Sequence, residues 1–104
     1  MMLQEDARLI LKQAGVKERM AYLQLPTLQP DFYKLVGNFL DNLAGDDKTQ
    51  MESVYNSIVM ARKSKIIKLA EANSEESKSK MTPEECQLFD AVATATNQFR
   101  ESVL

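Results

Sequence analysis

Apolar side chains recur at helical spacing along most of the chain and predict four helices. Leu3, Ala7, Ile10, Leu11 and Ala14 share one face of a first helix, which Gly15 is expected to end. Val16 to Gln29 lacks that period, and its Leu23-Gln24-Leu25-Pro26 alternation has no partner strand, so it reads as an extended connection. Pro30 and Asp31 open a second helix, because proline's fixed φ and an acidic side chain both suit a helix N-terminus. Phe32, Leu35, Val36, Phe39, Leu40 and Leu43 form its apolar stripe, with Gly45 as the stop. Gly37 lies inside this helix at a cost of about 1 kcal/mol relative to alanine, which points to another backbone passing close by.

The third helix runs without glycine or proline from about Asp47 to Asn73, with Met51, Val54, Tyr55, Ile58, Ala61, Ile66 and Leu69 on one face. At 1.5 Å per residue it spans roughly 40 Å. A compact domain of this size is only about 33 Å across, so the helix is expected to overshoot it. Asn73 to Lys80 is polar and reads as an exposed loop. Thr82-Pro83-Glu84-Glu85 is a capping box: threonine caps, proline takes the first helical position and Glu85 reaches back. Behind it Leu88, Phe89, Val92, Thr96, Phe99 and Val103 continue one apolar face to the end. Helices that are apolar on one side bury those sides against one another. The expectation is an all-α bundle of about four helices with one long central helix, residues 1–104 forming a single helical assembly domain.

The long helix is also apolar on a second side. Met60 and Ile67 sit nearly opposite the core stripe, and Val59 and Ala70 partly fill the gap. On the fourth helix, Cys86, Ala93 and Leu104 lie off the apolar face. An apolar side that the domain does not need for its own core has to cover something else. Val59, Met60, Ile67, Ala70 and Leu104 are therefore expected at an interface with another subunit.

Composition narrows the chemistry. With no histidine among 104 residues, the usual general base and the commonest metal ligand are both missing. The one cysteine, Cys86, has no partner for a disulfide within the chain, and Glu84 and Glu85 beside it oppose a thiolate. The close carboxylate pairs Asp46-Asp47 and Glu84-Glu85 stand at helix starts, where acidic residues are expected. No glycine-rich phosphate loop occurs. No enzyme activity, cofactor or metal is expected. A formal charge of −2 gives no overall pull toward nucleic acid or an anionic membrane, and a soluble intracellular protein is expected. The segment Arg62-Lys63-Ser64-Lys65-Ile66-Ile67-Lys68 carries four positive charges, and a nucleic-acid module using it is the rival reading. The charges form no single strip, however: Arg62 and Lys65 fall on the core side, their heads expected to pair with acids such as Asp41 or Glu85, while Lys63 and Lys68 point elsewhere.

Three stretches resemble the helical domain of a GINS subunit, the replication factor that accompanies the MCM helicase. They are Leu28-Gln29-Pro30-Asp31-Phe32-Tyr33, the run Arg62 to Ala70 with its Arg-x-x-Lys-Ile core, and Met81-Thr82-Pro83-Glu84-Glu85 paired with the ending Phe99-Arg100-Glu101-Ser102-Val103-Leu104. The order is most similar to subunits whose helical domain comes first, archaeal ones included. In those a small β domain follows; the chain stops at Leu104, so that domain is expected to be absent. The resemblance implies a non-catalytic assembly of four subunits, other GINS subunits or copies of itself, as a homotetramer or dimer of dimers. Its implied partners are the MCM helicase and a RecJ-like or Cdc45-like protein, with DNA contact weak or indirect. It implies a place at the replication fork, cytoplasmic in an archaeon and nuclear in a eukaryote. It casts Phe32, Arg62, Lys65, Ile66, Thr82 and Glu85 as structural positions of the family pattern. An unrelated helical adaptor remains the other alternative.

Overall fold

The computed structural model describes residues 4–21 and 24–104, with side chains from residue 6 onward. Leu3 and Leu23 lie outside the described residues. Helix α1 spans Gln4–Met20, α2 Phe32–Asp41, α3 Gly45–Glu71 and α4 Pro83–Val103, with a 3-10 segment over Glu75–Lys80. No strand occurs among the described residues, so the fold is all-α around one long helix.

The structure departs from the sequence pattern at several points; Leu43 lies beyond the end of α2, and Gly45, expected to stop that helix, opens α3. Gly15 does not end α1, which continues to Met20. A Cβ at Gly15 would stand 3.1 Å from Val54 Cγ1, so the glycine lets α1 lie close against α3. The close approach expected at Gly37 is absent there, since nothing lies within 4 Å of where its Cβ would be. The polar stretch after Asn73 is not an open loop but the 3-10 segment, held by an ion pair of Lys78 with Asp90 and by Lys78 lying 5.0 Å from the Phe89 ring centroid.

The ends of the long helix follow from local chemistry. Gly45 at φ 63 makes the left-handed turn out of the α2 connection, and Asp46 and Asp47 occupy the positive first turn. At the other end Asn73 takes φ 55. The Ser74 amide donates to Leu69 O at 3.0 Å and the Asn73 amide to Ala70 O at 3.0 Å. These two bonds make a Schellman motif with asparagine in the usual glycine place.

Side-chain pairs fix the directions of the helices. Arg8 bonds Asp47 and Glu18 bonds Arg62, so α1 runs parallel to α3. Arg8 also lies over the Phe39 ring of α2, which runs back between them. Arg62 bonds Glu85 and Asn73 meets Asn97, so α4 is parallel to α3 too, the 3-10 segment having returned the chain to the middle of α3. The core accordingly forms two clusters strung along α3. One joins α1, α2 and the first half of α3, with Leu11, Phe32, Val36, Phe39, Met51 and Ile58 inside. The other joins the second half of α3 to α4 through Leu25, Ile66, Ala70, Met81, Phe89 and Ala93.

This stagger corrects three expectations. The overhang belongs to α4 rather than to α3. The roughly 40 Å of α3, plus about 9 Å of α4 beyond Asn97, accounts for most of the 52 Å long axis. Phe99 and Val103, expected in the core, are 66% and 61% exposed because α3 has ended beneath them. Ala70 and Ala93, placed off the core by a straight stripe, are buried. The buried row of α3 follows the i, i+4 line Ile58, Arg62, Ile66, Ala70, which winds round the helix from the α1 side to the α4 side.

Candidate functional site

Arg62 sits where the two core clusters meet, and its side chain is 0% exposed. A guanidinium has five N–H donors and no acceptor, and here every one is used. Nε donates to Glu85 Oε2 at 2.6 Å and Nη2 to Glu85 Oε1 at 2.9 Å, a two-pronged pair. Nη1 donates to Glu18 Oε1 at 2.7 Å and to Pro26 O at 2.6 Å, and Nη2 donates also to Lys80 O at 3.2 Å. Lys65, one turn on, donates to Glu18 Oε2 at 2.7 Å and to Ala21 O at 3.0 Å. The Tyr33 hydroxyl of α2 donates to Glu85 Oε2.

The cluster therefore gathers the C-terminal end of α1, the connection at Pro26, the start of α2, the middle of α3, the end of the 3-10 segment and the start of α4. Two cations face two carboxylates, so the buried charge is balanced. The placement also suits the helix dipoles, with Arg62 and Lys65 near the negative end of α1 and Glu85 near the positive end of α4. Glu85 completes the capping box as well. The Thr82 amide donates to its Oε1 at 3.0 Å, and its own amide donates to Thr82 Oγ1 at 3.2 Å. One carboxylate thus caps α4 and clamps Arg62.

Burial alone would push the Glu85 carboxyl up, but the bonds from Arg62, Tyr33 and the Thr82 amide outweigh it and hold the group below its ordinary value. Burial likewise pulls the Arg62 guanidinium down, and Glu85 and Glu18 more than reverse that. The Tyr33 phenol is raised by burial and by its bond to Glu85. No buried side-chain nitrogen or oxygen among the described residues lacks a partner. With every hydrogen of Arg62 committed, its guanidinium has no donor left to offer a substrate or phosphate.

The structure thus brings Arg62, Lys65, Thr82 and Glu85 together, with Phe32 and Ile66 buried in the flanking core clusters. The pairing of Arg62 with Glu85 is present. Asp41 takes no part and stays exposed. Glu18 and Tyr33 escaped the sequence reading. Glu18 lies seven residues after Leu11 and four after Ala14, on the buried face of α1, so a charge on an apolar stripe was its signal. Ending the helix at Gly15 hid it. Cys86 is half-buried beside Lys78 O, and its thiol is pushed up by burial first, with Asp90 and Glu85 adding to the effect against Lys78. Of the expected interface residues, Met60 is 58% and Leu104 96% exposed, Val59 and Ile67 are half-buried, and Ala70 is sealed against α4 and unavailable to a partner. No helix among the described residues is long and apolar enough to cross a membrane.

These features define an all-helical domain whose polar interior joins its own elements rather than receiving a ligand. The chain belongs to the GINS family: residues 17–104 match the GINS complex subunit Psf2/Psf3-like N-terminal domain. It is accordingly a subunit of a GINS-type DNA replication complex, in a family of non-catalytic subunits that assemble with one another. The three resembling stretches all fall inside the matched region. No curated protein and no solved structure matched the chain.

Proposed function

We propose that residues 1–104 form a single assembly domain, a scaffold that packs helix to helix with sister subunits or copies of itself in a four-subunit GINS-type complex. Through that complex it associates with the MCM replicative helicase and a RecJ-like or Cdc45-like protein at the replication fork, in the cytoplasm of an archaeon or the nucleus of a eukaryote. The observation that carries this reading is the last part of α4, where Phe99 and Val103, at 66% and 61% exposed, stand uncovered by α3 on the helix that buries Phe89 and Ala93. Solvated apolar side chains grouped in this way mark a contact surface. Met60, Val59 and Ile67 on the outer side of α3 supply a second, smaller one.

Nothing favours the nucleic-acid reading of the basic segment. Arg62 and Lys65 are spent on Glu18 and Glu85 inside the domain, which leaves Lys63 and Lys68 exposed. DNA contact is accordingly weak or indirect. The test combines light scattering with co-purification. The wild-type chain is expected to assemble at micromolar concentration and to be retained with the helicase. Phe99→Asp with Val103→Asp should lower the assembly state while the helical circular dichroism stays unchanged. A stable monomer that neither sister subunits nor helicase retain overturns the proposal.

A further inference from the structure

Helix α1 buries one face against α2 and α3, yet its opposite face is not polar. Leu9, Val16 and Met20 are 54%, 43% and 81% exposed. They recur at spacings of seven and four, so they share one side of the helix. Between this side and α3 runs a groove of about 440 Å³. Its floor is apolar, formed by Gly15, Val16, Val54, Ile58 and Ala61. The absence of a side chain at Gly15 keeps the floor low. The α3 wall carries Ser53 and Ser57, small groups that admit a neighbouring backbone closely, and the α1 rim carries Lys12 and Arg19.

The charges around the groove are one-sided. Its single lining carboxylate, Glu18, is already taken by Arg62 and Lys65. Lys12 and Arg19 are exposed and make no ion pair among the described residues, and the carboxylate that feels Lys12, Asp47, is already held by Arg8. A chain with a net charge of −2 thus presents a locally basic rim over an apolar floor. Lys12, Gly15 and Val16 precede residue 17, where the match to the family begins, so most of this wall is outside the family pattern.

The geometry points to this groove as the docking site for an amphipathic helix of another protein, whose apolar side lies on Val16, Val54 and Ala61 and whose flanks carry Asp or Glu toward Lys12 and Arg19. Apolar floor and small wall residues suit a helix laid lengthwise, and the rim sets the sign of its flanking charge. This site is separate from the end of α4 that carries the assembly proposal, and it adjoins the Met60 surface only through Ser53 and Ser57.

The probe is a labelled synthetic peptide of about 18 residues, long enough to hold helical structure, with leucines along one face and glutamates along its flanks. A twin carries lysine for each glutamate. Fluorescence anisotropy is expected to show the glutamate peptide binding at least about tenfold more tightly than the twin, with the gap narrowing as salt rises. Lys12→Glu with Arg19→Glu, both on exposed residues, should reverse the preference. Ser57→Phe, which fills the groove from an exposed position, should abolish binding of both peptides with the circular dichroism unchanged. Equal binding of the twins, no binding of either, or a Kd untouched by the variants overturns the proposal. Displacement of the peptide by a short DNA duplex, or loss of binding on dilution of self-associated chains, also overturns it, reassigning the groove to phosphate or to a second copy.

Discussion

Replacing Arg62 by methionine tests the central cluster most directly, because methionine keeps the length of the stem and removes only the charge and donors. The variant leaves Glu18, about 4% exposed, with Lys65 as its one cation, and Glu85, equally buried, with no cation and only the neutral donors Tyr33 and the Thr82 amide. Pro26 O and Lys80 O lose their donors as well. Breaking a buried pair by removing one partner costs about 3–5 kcal/mol, against a total of roughly 5–15 kcal/mol for a domain of this size. The expected outcome is a large loss in the midpoint of urea unfolding followed by far-UV circular dichroism.

The pH dependence gives a sharper readout, because its sign changes. In the wild type Glu85 is held below its ordinary value of 4.5. Its contribution is therefore present above that value and is lost as the pH falls through the lower folded one. In the variant, burial, the largest influence on Glu85, is opposed only by the bonds from Tyr33 and the Thr82 amide, so its folded value is expected to rise above the unfolded one and protonation to favour the folded state. Lowering the pH from neutral toward 4.5 should leave the wild type nearly level and should stabilise the variant. A loss below about 1 kcal/mol, or a variant destabilised over that range, would refute the account of the cluster. Adding Glu85→Gln to Arg62→Met should cost less than the sum of the two single changes, since they share one interaction.

Gly37→Ala should stabilise by about 0.5–1 kcal/mol, because the site is open and helical, whereas Gly15→Ala should gain less or lose stability by crowding Val54; thermal melts compare the two. Thr82→Ala should cost about 1 kcal/mol, and Thr82→Ser much less, because only the hydroxyl can accept the Glu85 amide, as chemical denaturation would reveal. Ala70→Leu should destabilise by about 1–3 kcal/mol through overpacking against α4. Met60→Leu should be neutral in the same melt, because Met60 is 58% exposed.

What the sequence decided by itself is local. Period and composition determined the helical class, and the Thr82-Glu85 capping box and the change to a polar stretch near Asn73 set helix ends within a residue or two, because caps depend on groups a few positions apart. The absence of histidine removed the commonest chemistry. That Arg62 would pair with an acid was legible too, since a basic residue on a core face demands one, but only the packing chose Glu85 over Asp41. Only the tertiary structure decided which helix faces which. A single stripe drawn along α3 assumes one partner, but α1 and α2 cover its first half and α4 its second. The buried row therefore winds, burying Ala70 and leaving Phe99 and Val103 without cover. Gly15 reads as a stop in isolation and proves to be a crossing point, because α3 supplies the contact that makes its missing side chain useful. Glu18 and Tyr33 belong to the cluster for the same reason: Arg62 is 44 residues from one in sequence, and only the packing of α1 and α2 on α3 brings them to it.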